Sequence, residues 1–216
     1  MALCSAYKTM KTYLVKTPRL LKVAYAQYVW HVKEHANSIY LTFDDGPHPT
    51  ITPFVLDELK KHHAKATFFC IGKNVALYPE IYQQILDEGH SVGNHTQNHL
   101  NGWKTENLEY YKNIKAASKL INTRLFRPPY GRMTYAQSLG VNRLFPKAKI
   151  IMWDVLSGDF DTELSPEECL NNVISATKPG SIIVFHDSEK AWERMHYTLP
   201  LFLEHCTAQG WKMKKL

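Results

Sequence analysis

From Ser38 onward the chain alternates short β-branched or aromatic runs with longer stretches of helical period, the pattern of βα units around a parallel sheet. Seven strands are predicted: Ile39 to Phe43, Ala66 to Ile71, His90 to Asn94, Leu125 to Arg127, Ile150 to Val155, Ser181 to His186 and Trp211 to Met213. Between them lie helices with clear punctuation. One starts at Pro53 and runs through Leu56, Leu59 and Lys60. A second opens at Pro79, sets Ile81, Ile85 and Leu86 on one face and ends at Gly89. A third takes Ser165 as N-cap with Pro166 and Glu168 in its first turn, and Pro179-Gly180 stops it. This order fits a doubly wound sheet or an incomplete β/α barrel, and pattern alone does not choose between them. Both architectures carry their chemistry beyond the carboxyl ends of the strands.

A length of 216 residues with 44% hydrophobic content suits one domain with a sizeable core, and no low-complexity tract points to disorder. Residues 1–37 read as a basic N-terminal arm and residues 38–216 as the catalytic domain. Lys8, Lys11, Lys16, Arg19 and Lys22 interrupt the apolar positions of the arm, so no run of signal-peptide or membrane-spanning length is seen. A cytoplasmic protein is expected on that basis, with peripheral membrane or cell-envelope association left open because the arm is basic and partly apolar. Met10 is a second candidate start. The net charge of +6 comes from scattered lysines and not from a stripe, so no nucleic-acid partner is expected. Cys4, Cys70, Cys169 and Cys206 have neither metal-knuckle nor disulfide-scaffold spacing and read as reduced thiols.

The strand ends carry the candidate chemistry. The first strand runs into Asp44-Asp45-Gly46-Pro47, two adjacent carboxylates whose repulsion a cation or a shared proton would relieve. The third ends in His95-Thr96-Gln97-Asn98-His99, two imidazoles at a spacing common in zinc sites, on one helical turn or a tight loop. Arg127-Pro128-Pro129-Tyr130-Gly131 follows the fourth strand, Trp153-Asp154-Val155-Leu156-Ser157-Gly158-Asp159-Phe160 the fifth, and Val184-Phe185-His186-Asp187 the sixth. Asp45, His95 and His99 offer one oxygen and two nitrogens, leaving the fourth place of a zinc tetrahedron open. Asp44 and His186 then remain as acid and base.

TFDDGP at Thr42 to Pro47, HTQNH at His95 to His99, RPPYG at Arg127 to Gly131 and VFH ending at His186 resemble, in order, motifs of the polysaccharide deacetylases of carbohydrate esterase family 4, the nodulation-protein B homology domain. The resemblance covers roughly Ser38 to the C-terminus. It implies an α/β fold, a distorted, incomplete β/α barrel of about seven parallel strands. It implies a divalent metal, zinc foremost, on Asp45, His95 and His99, with Asp44 as general base, Arg127 supporting it, the Tyr130 backbone N–H at the oxyanion and His186 as general acid. The implied substrate is an acetylated amino-sugar polymer or oligosaccharide built on N-acetylglucosamine, peptidoglycan-like or chitin-like. O-acetyl ester or cyclic amide hydrolysis, or glycan binding without turnover, are the alternatives. Tyr130, Pro128, Trp153 and Asp159 are the candidate substrate contacts.

One motif departs from the family. Where Asp-x-x-Asp-Trp is usual, this chain reads Leu156-Ser157-Gly158-Asp159-Phe160, lacking the first carboxylate and the tryptophan. In an extended strand Asp154 and Leu156 share a face. Asp154 is therefore expected to tune His186, with Asp159 as the second choice.

Overall fold

The sequence Ser-Ile-Tyr-Leu-Thr-Phe-Asp forms β1 (Ser38–Asp44), buried along its whole length, as expected of a parallel strand covered on both faces. A computed structural model describes residues 13–33 and 37–216. In chain order it contains α1 (Arg19–Ala24), β1, α2 (Ile51–Lys61), β2 (Ala66–Cys70), α3 (Gly72–Leu77), α4 (Pro79–Asp87), β3 (Ser91–Asn94), α5 (Asn107–Ala117) and β4 (Leu125–Phe126). It continues with α6 (Tyr135–Leu144), β5 (Lys149–Ile150), β6 (Val155–Leu156), α7 (Pro166–Ala176), β7 (Ile182–His186), α8 (Trp192–Ala208) and β8 (Lys212–Lys214). The strands follow the order β5-β4-β3-β2-β1-β7-β6, every pair parallel, and β8 pairs with the start of β1. This is the expected incomplete barrel and not a doubly wound sheet.

Strand alternation sorts the side chains. Ile39, Leu41 and Phe43 of β1 face outward into the main core with Val55, Leu56 and Leu59 of α2 and Met195, Leu199 and Phe202 of α8. Tyr40 faces inward and packs with Phe69, Ile151 and Ile182. Thr42 and Asp44 share the Tyr40 side by the same two-residue period, so Asp44 tops a column inside the barrel. The capping box at Ser165 forms as read, with its serine side chain accepting from Glu168 N–H and the glutamate accepting from Ser165 N–H. Thr134 and Gln137 build a second one at α6.

The fifth predicted strand, Ile150 to Val155, is two strands. β5 pairs with β4 at one edge of the sheet and β6 with β7 at the other, and residues 151–154 cross between the edges. The gap they cross is filled by the N-terminal arm. Val29 bridges Ile151, His31 bridges Ser181, and Lys16 bridges Val155. The arm is thus woven into the barrel, although its first twelve residues, with Lys8, Lys11 and Cys4, lie outside the described ones. Cys70, Cys169 and Cys206 are buried, in keeping with thiols acting as small apolar groups.

Candidate active site

Neighbouring residues of a strand point to opposite faces, so Asp44 and Asp45 reach one site only because the backbone turns over between them. Asp45 has φ 83°, in the left-handed region that non-glycine residues seldom adopt. Thr96, His99 and Tyr130 show the same feature, with φ of 65°, 55° and 60°. Backbone held in this region needs support from its surroundings, and four such residues gather around one mouth.

His95 and His99 lie on a tight loop beyond β3 and not on a helix. Its clamps are asparagines. Asn94 Oδ1 accepts from Thr96 N–H at 2.8 Å, while Asn113 Oδ1 of α5 accepts from Gln97 and Asn98 N–H at 2.8 and 3.0 Å. His99 Nε2 comes within 3.2 Å of Asp45 Oδ1, and His95 Nε2 within 3.7 Å. One ligand atom from each of the three residues falls within 4.8 Å of the others. Asp45 Oδ1 is buried with no hydrogen-bond partner in acceptable geometry, so the carboxylate oxygen and two ring nitrogens converge without satisfying one another. That donor set suits a divalent cation. The second partner of His95 supports the fit: its Nδ1 lies 2.8 Å from the carbonyl oxygen of Arg127, which fixes Nδ1–H as donor and leaves the Nε2 lone pair directed at the site. Burial pushes His95 down to about 4, keeping the imidazole neutral as a ligand must be. For Asp45, burial acts upward, but a contact to His99 and the nearby His186 and His95 outweigh it and hold the carboxyl well below its usual range.

Asp44 sits on the other side of these ligands, with Oδ2 4.0 Å from His95 Nε2. Its Oδ1 accepts from Arg127 at 2.6 Å. Arg127 is fully buried and spends its remaining donors on Thr42 Oγ1 and the carbonyls of Ile151 and Met152, with its guanidinium 4.0 Å over the Phe69 ring. The arginine therefore ties the end of β1 to the crossing segment 151–154.

His186 is the register partner of Asp44 across β1 and β7. Its Nδ1 contacts Asp159 Oδ1 at 2.7 Å, and its backbone N–H donates to Asp159 Oδ2 at the same distance. Burial alone lowers the pKa of His186, but the charge and hydrogen bond of Asp159 override it, with Asp45 and Asp44 adding to them, and raise it to about 9. Asp159 is thus the carboxylate partner of His186. It is fully buried and has both oxygens on His186, so the expectation of a substrate contact there is corrected. Gly158 with φ 83° makes the turn that brings Asp159 back, and Arg194 of α8 fixes the turn by donating from Nε to the Asp159 carbonyl at 2.7 Å.

Asp154 does not tune His186. Its carboxylate accepts from Lys16 at 2.5 Å, from Lys22 and from Ser181 Oγ at 2.5 Å. Ser181 precedes His186 by five residues of extended chain, about 16 Å. The alternation argument failed because the strand is broken between Ile150 and Val155. Asp154 pins the N-terminal arm to the far end of the barrel instead.

Of the expected substrate contacts, Tyr130 is exposed, with its ring 4.5 Å from that of His99, and Trp153 is half-buried beneath Gly131. Pro128 is buried and precedes the turn at Pro129–Gly131. A residue to which sequence reasoning gave no role stands beneath the acidic pair. Asp187 accepts from Gly46 N–H at 3.0 Å and from Thr52 Oγ1 at 2.5 Å, and burial, with Asp45 nearby, pushes it up to about 8. A Cβ at Gly46 would run into that carboxylate, so only glycine admits the approach.

Comparisons with known proteins show the family of the chain. A family model described as polysaccharide deacetylase matches residues 31–143. A chitooligosaccharide deacetylase of Azorhizobium caulinodans is 36% identical over 163 residues, covering 72% of this chain and 76% of its own. A peptidoglycan-N-acetylglucosamine deacetylase of Bacillus cereus is 32% identical over 188 residues, covering 85% and 88%. The crystal structure of a peptidoglycan N-acetylglucosamine deacetylase superposes with a TM-score of 0.83 at 30% identity, over 93% of this chain and 95% of that one. Family model, sequence over most of both chains and fold all agree, and the chain belongs to the polysaccharide deacetylases, hydrolases of carbohydrate esterase family 4.

Proposed function

We propose that the protein hydrolyses the acetamide of N-acetylglucosamine units in an oligosaccharide or glycan strand, releasing acetate and leaving a free amine. The observation that carries this reading is the placement of Asp44 and His186 as register partners on either side of the Asp45, His95 and His99 cluster. Relatives with names of this kind act on chitooligosaccharide or peptidoglycan N-acetylglucosamine.

Asp45, His95 and His99 would hold a divalent cation, zinc being the best match to one oxygen and two nitrogens. Such an ion supplies Lewis acidity, polarising an acyl oxygen and making water more acidic. Asp44 Oδ2, oriented by the Arg127 contact to Oδ1, takes the proton of the attacking water as its oxygen bonds to the acetyl carbon. The Tyr130 backbone N–H, presented by the strained turn after Pro129, donates to the oxygen that gains negative charge. His186, held through Nδ1 by Asp159, gives its Nε2 proton to the sugar nitrogen as the C–N bond breaks. An amine expelled without that proton would be a very poor leaving group.

The test is acetate release from N-acetylated chitooligosaccharides and peptidoglycan fragments, with O-acetylated xylo-oligosaccharides as the ester arm. Chelation followed by zinc addition checks the cation. Release from the N-acetylated sugars that is abolished by chelation and restored by zinc is expected. Release from the esters alone would replace the amide reading by an esterase one.

A further inference from the structure

The end of the barrel opposite the catalytic mouth carries a second feature that the hydrolysis does not use. A cavity of about 910 Å3 opens there between α1, the arm around Tyr28 to Lys33, and the beginnings of β1, β4 and β5. Its walls are apolar, from Val29, Trp30, Leu125 and Ile151 among others. Its charged lining residues are Arg19, Lys22, Lys33, Lys149, Lys214 and Lys215, with no acidic side chain among the described residues. Lys22 is held by Asp154, and Lys215 donates to the carbonyl of Gly89 at 2.9 Å. Arg19, Lys33, Lys149 and Lys214 take part in no ion pair among the described residues. His31, also in the lining, is lowered chiefly by burial, then by Lys22 and Lys33, against the upward effect of Asp154.

The second, independent observation is apolar exposure beside that charge. Leu20 is 81% exposed and Val23 65%, both on α1, and Leu14, Leu21 and Tyr25 are exposed in the same stretch of arm. Leu20 and Val23 are left largely uncovered by the described residues, and α1 buries no residue. A soluble anion would use the lysines but not the leucines. A partner that matches both is an anionic lipid surface, where apolar side chains enter below the headgroups and lysines meet the phosphates.

We propose that this end of the barrel docks on an anionic phospholipid bilayer, with Leu20 and Val23 inserted and the cavity cations on the headgroup phosphates. Because the catalytic residues finish the strands and the cavity opens at the end where β1, β4 and β5 begin, the active site then opens away from the lipid. A surface-held enzyme of this orientation presents its mouth to polymer lying above the membrane.

The experiment is co-sedimentation with vesicles of phosphatidylcholine alone and of phosphatidylcholine mixed with phosphatidylglycerol, at low and high salt. The full chain should bind the mixed vesicles and not the neutral ones, and release in high salt. Each lysine near such a surface contributes about fivefold to partitioning, so Lys33→Gln with Lys149→Gln should weaken binding by about 25-fold. Leu20→Asp with Val23→Asp should weaken it at least about tenfold through lost apolar insertion. These positions are exposed and remote from the mouth, so acetate release from a soluble oligosaccharide stays unchanged in both variants. Equal binding to neutral and anionic vesicles overturns the proposal. So does full retention by the Leu20→Asp, Val23→Asp variant with loss in inorganic phosphate, which would assign the cavity to a free anion. Vesicle binding and acetate release are read separately, and failure of one leaves the other standing.

Discussion

Replacing Asp159 by Asn removes the charge that holds His186 protonated while keeping the size of the side chain. In the native site His186 is raised from 6.5 to about 9, a difference worth about 3 kcal/mol between its two protonation states. Burial is the largest single influence and acts downward, so without Asp159 the imidazole falls back toward the ordinary 6.5. A cation on Asp45 removes the help of that carboxylate but not that of Asp159, which is first among the groups that raise the value. At pH 8 about nine in ten imidazoles with a pKa near 9 carry the proton, against about three in a hundred at 6.5. The turnover of Asp159→Asn should therefore fall about 30-fold at pH 8 but only within a few-fold at pH 6. The alkaline limb of its rate profile moves to lower pH. Stability follows the same sign: a raised pKa stabilises the fold below pH 6.5, and that share is lost as pH rises through about 9. The assay is initial acetate release from an N-acetylated oligosaccharide between pH 5 and about 10, with metal content measured in parallel. An alkaline limb that stays in place in a variant with full metal would refute the role of Asp159 and the assignment of His186 as the acid.

Three further outcomes follow from the same geometry. His99→Ala should lose metal and activity together, measured by elemental analysis and acetate release, and full zinc occupancy in that variant would remove His99 from the ligands. Asp44→Asn should keep the metal while the rate falls on the order of 10²- to 10⁴-fold; a rate within a few-fold of the parent would make Asp44 structural. Asp154→Asn should leave the pH profile unchanged yet increase amide hydrogen exchange in residues 13–33, because the buried anchor of Lys16 and Lys22 is gone.

Much of the fold was legible because its central strands are continuous apolar runs. β1, β2 and β7 are each buried nearly throughout, and a run of that kind bounded by turn residues reads as a covered parallel strand. The cluster of Asp45, His95 and His99 was legible because its members follow strand ends and have ligand chemistry. The break between β5 and β6 was not, since Met152-Trp153-Asp154 looks locally like more strand. What ends it there is the need to reach the opposite sheet edge, a fact about distant partners. The misassignment of Asp154 followed from that one break. Asp159 was named only as a second choice because Gly158 announces a turn without saying where the turn leads. Asn113, Arg194 and Asp187 support the loops from residues far along the chain, and no local pattern marks them. Helices α5, α6 and α8 were not singled out, since their apolar spacing is shared with neighbouring loop residues.

The crossing at residues 151–154 has a bearing on solubility. An open parallel sheet ends in two rows of unpaired N–H and C=O groups, and such rows recruit other strands. Here the two rows belong to consecutive pieces of one chain, and Val15 and Val29 occupy them through backbone hydrogen bonds to Leu156 and to Ile150 and Met152. The arm thus pairs with the backbone at both edges. A chain trimmed to begin at Ser38 would keep Asp44, Asp45, His95, His99, Arg127, Asp159 and His186, yet it would present bare edges at Ile151 and Val155. Aggregation, and not loss of chemistry, is the failure to expect from it.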